Sequence, residues 1–97
     1  MKLIWSKRAQ RDLEQIGDFI SRDAPERARS FVQLLINRTN QASQLPAAGR
    51  IVPEFRDENL RELIEGRYRI VYEIDVTKKL VNVLTVFESH MQIRKLK

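Results

Sequence analysis

GRIVPEFRDENLRELIEGRYRIVYEI, residues Gly49 to Ile74, is the stretch on which the fold of this chain turns. It opens on a glycine–arginine turn and passes through an acidic connection into two segments, Leu60 to Ile64 and Tyr68 to Ile74. Both are rich in β-branched and aromatic residues, a composition that suits a pleated, half-buried surface. Only Glu65-Gly66-Arg67 lies between them, too short a link for anything but antiparallel neighbours. The two-residue period places Tyr68, Ile70, Tyr72 and Ile74 on one face of the second strand and Arg69, Val71 and Glu73 on the other.

Outward from this hairpin, Leu80 to Phe87 reads as a third strand, joined through the turn Asp75 to Lys79, so the C-terminal half predicts a three-stranded antiparallel meander. Upstream, Lys2 to Trp5 is a short apolar strand candidate, and Ser6 supplies a side-chain oxygen to cap a helix starting near Lys7. Ala9, Leu13, Ile16 and Ile20 recur at helical spacing with Phe19 beside them, one stripe that must face a core. Asp23-Ala24-Pro25-Glu26 restarts the chain, with Asp23 as the expected cap, and a second helix runs to about Leu45 with Ala28, Phe31, Val32, Leu35, Ala42 and Leu45 as its stripe. The short link makes the pair an antiparallel helical hairpin. Pro46 to Gly49 ends it, since proline cannot continue a helix and glycine allows a positive φ. The order strand, helix, helix, three strands predicts one α+β domain over residues 1–97, a two-layer sandwich in which the N-terminal strand joins the sheet and the face away from the helices stays partly open.

The chain has 97 residues, no cysteine, and 18 basic against 13 acidic side chains, for a formal charge of +5 and a pI near 10.0. Without cysteine there is no disulfide framework, thiolate metal site or cysteine nucleophile, which agrees with a reducing compartment. The N-terminal apolar run is too short for a signal-peptide core or a membrane span, so the cytoplasm is the expected location and no membrane contact is foreseen. The basic surplus is concentrated in residues 67–97 (+4), whereas 46–66 is acidic (−2). Such a surface attracts nucleic acid or an acidic protein partner.

Three segments together resemble the RelE/ParE toxin superfamily. They are Trp5-Ser6 with Ala9, Asp12, Leu13 and Ile16; Pro46 through Gly49-Arg50 to Val52-Pro53-Glu54; and Arg61-Glu62-Leu63-Ile64 leading to Gly66, Tyr68-Arg69-Ile70 and Tyr72. The resemblance implies a toxin encoded beside an antitoxin that wraps and neutralises it. It also implies one of two targets: mRNA on the ribosome, cleaved by RelE-like members, or DNA gyrase, inhibited by ParE-like members that have lost the cleavage residues. No cofactor is implied by either, and one histidine with scattered carboxylates lacks metal-ligand spacing.

Metal-free RNA cleavage needs a deprotonated 2′-hydroxyl, a stabilised phosphorane and a protonated leaving oxygen. Arg69 suits the second task, because the resemblance gives this strand arginine a phosphate-binding role and a guanidinium matches phosphate oxygens in pairs. The alternative for Arg69 is a cross-strand salt bridge to Glu62. Glu54, Glu58 and Glu62 are conceivable general bases, Glu54 lying roughly where the resemblance places the acid of one cleaving branch, but with Asp57 they more simply form a solvated edge or pair with Arg50, Arg56 and Arg61. At the end of the last strand, Glu88 stands where the resemblance leads one to expect histidine or lysine, and Ser89 where an arginine would fall. His90, the sole histidine, comes two residues late for a proton-transfer role.

With that set broken, the ParE-like reading fits better than the nuclease, and a decayed, non-toxic antitoxin-binding homologue stands as a third possibility. The residues expected to contact a target or phosphate are Arg50, Arg61, Arg67, Arg69, Arg94 and Lys95. Those expected to meet the antitoxin, itself acidic and apolar, are Leu13, Ile16, Ile20, Phe31, Leu35, Met91 and Ile93.

Overall fold

Two helices lie against one face of a five-stranded mixed sheet in the computed structural model, which describes residues 1–91. Strand β1 spans Lys2–Trp5, helix α1 Lys7–Ser21, helix α2 Pro25–Gln44, strand β2 Arg50–Ile51, β3 Leu60–Glu65, β4 Tyr68–Asp75 and β5 Leu80–Glu88; a 3-10 turn, Pro46–Ala48, follows α2. The sheet order is β1-β5-β4-β3-β2, with β1 parallel to β5 and the other pairs antiparallel. The α+β class and the meander β3-β4-β5 are as expected. The two-residue β2 is an addition, since Arg50 and Ile51 pair with Glu62 and Arg61 where only a loop was anticipated.

Helix α1 begins as its sequence directs. Ser6 has extended backbone angles, and its hydroxyl oxygen accepts from the amide of Ala9 at 3.0 Å while the hydroxyl donates to the carbonyl of Leu84. Beyond Val83, β5 has no strand partner on the β1 side, so α1 takes over. Asp12 Oδ2 accepts from the Val86 amide at 3.0 Å and from Thr85 Oγ1 at 2.6 Å. Backbone groups that would otherwise be buried unpaired are thereby satisfied. A register shift opposite Val71 and Tyr72 breaks the alternation of β5. As a result Val81, Val83 and Val86 pack toward the helices, whereas Leu84 packs on the opposite face.

The second helix corrects one detail. Its cap is Ala24, without a side-chain hydrogen bond, because the turn leaving α1 places Asp23 one residue too early. Pro25 opens the helix instead, its missing N–H being one that a first turn leaves unpaired anyway. Leu45 falls past the last turn and is exposed.

The principal core joins Ala9, Ile16, Leu35 and Ala42 of the helices to Leu63, Tyr68, Ile70, Tyr72, Ile74, Val81, Val83 and Val86 of the sheet, with Leu3, Trp5, Leu13, Ile20 and Phe31 partly buried around it. The far face of the sheet is less open than expected. Val52, Leu60, Val71 and Leu84 form a second core there, flanked by Phe87, because the chain leaving β2 brings the fully buried Val52 over the sheet.

Gly49 has φ −74°, so the positive φ that a glycine allows is not used here. The requirement is space: a Cβ there would lie 2.8 Å from the Glu62 carbonyl oxygen and closer still to the Tyr72 hydroxyl. That hydroxyl accepts from the Gly49 amide at 3.0 Å and donates to the Pro46 carbonyl at 2.6 Å, pinning the chain as it enters β2. Gly66, by contrast, does occupy the left-handed region, at φ 58°, in the β3–β4 turn.

Candidate functional site

Arg69 lies on the far face of β4, opposite Ile64 in β3 and Phe87 in β5. Glu62, two residues back along β3, shares that face and reaches it diagonally, as neighbouring antiparallel strands allow. Glu62 Oε1 accepts from Arg69 Nε at 2.6 Å, and Oε2 accepts from Arg50 Nε at 2.5 Å. The two terminal nitrogens of Arg69 donate in parallel to the two oxygens of Glu54, each at 2.8 Å, and Nη1 also reaches the carbonyl of Met91 at 3.4 Å. Beneath the guanidinium lies the ring of Phe87, its centroid 5.0 Å away, a cation–π contact.

The four charges differ sharply in exposure. The side chain of Arg69 is 6% exposed and that of Glu62 0%, whereas Glu54 retains 24% and Arg50 59%. The hydrogen bonds to Glu54 raise the Arg69 pKa above its ordinary range; burial opposes the shift and Glu62 adds to it, so the guanidinium is charged at every accessible pH. Among these four side chains, two cations face two carboxylates.

The remaining residues singled out from the sequence are dispersed. Arg61 is turned to the backbone, donating to the carbonyls of Glu58 at 2.7 Å and Gly49 at 3.1 Å. Arg67 is exposed in the β3–β4 turn, beside Phe31 and Arg27. His90 is exposed and stands 3.5 Å from Glu88 rather than against Arg69. Glu58 is exposed. Arg94, Lys95 and Ile93 lie outside the described residues. Among the described residues no group of three histidine, aspartate or glutamate side chains is placed to hold a metal ion, and no helix is long and apolar enough to cross a membrane.

Of the residues picked for an antitoxin surface, Ile16 and Leu35 are interior. Their apolar area is already covered by the sheet, so the periodicity that selected them is that of the core. Leu13, Ile20 and Phe31 are half-buried at its margin, and Met91 is exposed. A residue that sequence reasoning set aside is more prominent: Phe19, 65% exposed, separates two adjoining clefts. One is lined by Ile20, Asp23, Arg27, Phe31, Arg67 and Tyr68, the other by Asp12, Gln15, Tyr68, Phe87, Glu88 and Met91. Its position just off the α1 stripe was the available signal.

This arrangement has known relatives. A toxin–antitoxin structure titled the chromosomal ParDE system of P. aeruginosa superposes with a TM-score of 0.75 at 23% identity, covering 91% of this chain and 95% of that one. The RelBE2 toxin–antitoxin complex of Mycobacterium tuberculosis superposes with a TM-score of 0.58 at 20% identity, covering 90% and 95%. At those identities the likeness establishes the fold alone, two helices on a five-stranded mixed sheet. The sequence narrows it further. The family model of the ParE toxin of the type II toxin–antitoxin system parDE matches residues 3–93. Y4kP, a candidate toxin of Sinorhizobium fredii (strain NBRC 101917 / NGR234), is 32% identical over 93 residues, covering 94% of this chain and 91% of the relative. The chain therefore belongs to the ParE toxin family of type II toxin–antitoxin systems.

Proposed function

We propose that this toxin acts by occupying a partner rather than by cutting RNA, that its target is DNA gyrase, and that a cognate antitoxin neutralises it. One observation carries the first part: the guanidinium best suited to hold a phosphorane is 6% exposed, with its fork closed by Glu54 and its Nε by Glu62. A scissile phosphate would have to displace a carboxylate already paired in the geometry it needs. At the end of β5 it is the Phe87 ring that lies under the guanidinium, while Glu88 is in register with Tyr68 on the helix-facing side of the sheet. The gyrase target follows from membership of the ParE family together with this closed arginine.

The antitoxin partner is supported by the two structural neighbours, one from a ParDE toxin–antitoxin system and one from a RelBE2 toxin–antitoxin complex. The cleft on one side of Phe19 presents that exposed ring, the half-buried Ile20 and Phe31, and Arg27 and Arg67 against the single acid Asp23. That surface matches an amphipathic acidic segment, which gains affinity by coupling its folding to binding.

A single feature fits cleavage instead: Glu54, a possible base, touches Arg69. The same experiment decides both readings. Purified toxin is assayed with gyrase for loss of supercoiling, and mRNA from induced cells is mapped by primer extension. Inhibited supercoiling with cleaved DNA complexes and intact messages is the expected result. Fresh cuts within reading frames, abolished by Glu54→Gln or His90→Ala, would overturn the proposal.

A further inference from the structure

Phe19 stands between two clefts of opposite sign. The cleft toward the β3–β4 turn is lined by Arg27 and Arg67 against one acid, Asp23. The cleft toward the end of β5 is lined by Asp12 and Glu88, with no lysine or arginine among the described residues that border it. Tyr68 forms part of both, its ring 5.5 Å from that of Phe31. The clefts follow one another along α1, Asp12 and Gln15 bordering the acidic one, Ile20 and Asp23 the basic one. Phe19 is exposed between them, and the exposed Met91 borders the acidic cleft. A bare aromatic ring with apolar walls on both sides is an anchor that lacks its cover.

We propose that the surface centred on Phe19 pairs with the same surface of a second copy of this chain. The pattern of signs selects that occupant. An acidic segment satisfies one cleft and is repelled by the other, and a basic segment does the reverse. The same face turned over satisfies both. A twofold axis lying in the contact plane at Phe19, across the line joining the clefts, sets the basic cleft of each copy on the acidic cleft of the other, as a self-complementary interface requires. The two α1 helices then run antiparallel, the Phe19 rings meet at the axis, and Arg67 of each copy faces Glu88 of the other. Asp12 contributes less, because its Oδ2 is engaged by Thr85 and by the Val86 amide. One ring and two shallow clefts make a small contact, so the pair is transient, with a dissociation constant of about 10–100 μM. On the reading above an antitoxin meets the basic cleft, so antitoxin and second copy exclude one another; the self-pairing itself does not rest on that reading.

The test compares the full-length wild type, Phe19→Ser, Arg67→Glu, Glu88→Arg and an equimolar mixture of the last two. Each is followed by sedimentation equilibrium from about 1 to 500 μM, at about 50 and 500 mM sodium chloride. Wild type is expected to form dimers, at least tenfold more weakly at the higher salt. Phe19→Ser and each single charge variant are expected to weaken the dimer at least tenfold. The mixture is expected to restore it, because the two altered clefts then face each other and so do the two unaltered ones. A defect within either chain would persist in the mixture, so the rescue separates contact between copies from damage to the fold. A wild type that stays monomeric throughout leaves the face to another occupant and overturns the proposal. So does a dimer indifferent to Phe19→Ser, or a mixture no better than the single variants. Should either charge variant not fold, Phe19→Ser decides alone, since that side chain is exposed and carries little of the core. A monomeric result leaves the supercoiling measurement unaffected, so the two failures are distinguishable.

Discussion

Replacing Glu62 with alanine probes how much of the fold the ion network holds. The carboxylate is fully buried and accepts from two arginines, at 2.6 Å from Arg69 and 2.5 Å from Arg50. The two pairs carry different weights. Arg50 is 59% exposed, and an ion pair screened to that degree contributes about 0–1 kcal/mol. Arg69 is in a dry setting, where loss of one partner of a buried pair costs about 3–5 kcal/mol because a charge is stranded. Glu54 still holds the terminal nitrogens, so the lower end applies, about 3 kcal/mol. A domain of this size has about 5–15 kcal/mol in total, and each kcal/mol shifts its melting temperature by about 4–8 °C. Glu62→Ala should therefore melt roughly 12–24 °C below wild type. Urea unfolding followed by fluorescence of Trp5, the only tryptophan, gives the free energy directly. Arg50→Ala should stay within about 1 kcal/mol in the same assay. If Glu62→Ala also loses less than about 1 kcal/mol at an unchanged m-value, the buried pair is not what holds this face, and the reasoning fails.

Two further changes address the junction between α2 and the sheet. Gly49→Ala forces a Cβ against the Tyr72 hydroxyl and the Glu62 carbonyl, both in packed surroundings, and should cost about 1–3 kcal/mol by thermal melting; a neutral result would show that the chain at Gly49 yields easily. Tyr72→Phe removes the partner of the Gly49 amide and the donor to the Pro46 carbonyl, at a cost of about 1–3 kcal/mol at neutral pH. Burial raises the Tyr72 pKa above its usual value, against the Gly49 N–H and the charge of Arg61, which lower it; burial and Glu88 likewise raise Tyr68. The folded state thus holds these protons more tightly than the unfolded chain. Their contribution is complete below about pH 10 and fades as pH rises through the folded pKa. Stability measured by urea titration from pH 9 upward should fall more steeply for wild type than for Tyr72→Phe, and parallel curves would contradict the assignment.

Local chemistry made much of this molecule legible from its residues alone. Ser6 caps α1 because a hydroxyl before an apolar-periodic run satisfies a free amide wherever it occurs. Three-residue spacing between two strand-like segments forces the β3–β4 hairpin, and that hairpin in turn puts Glu62 beside Arg69. The stripes on α1 and α2 announced apolar faces, but periodicity does not say what covers such a face. For Ile16 and Leu35 the cover is the protein's own sheet, while Phe19, beside the stripe, is left bare. Residues distant in sequence had to be brought together before the rest was decided. Neither the approach of Glu54 to Arg69, nor the cover that Val52 gives the far face, nor the clash that demands glycine at position 49 follows from any local pattern. Each depends on how the chain between β2 and β3 is laid across the sheet, a path set by long-range pairing and by the volume of side chains already in place. An arginine on a strand is equally a ligand clamp or a structural ion, and it is the Glu54 carboxylate delivered by that path that closes its fork.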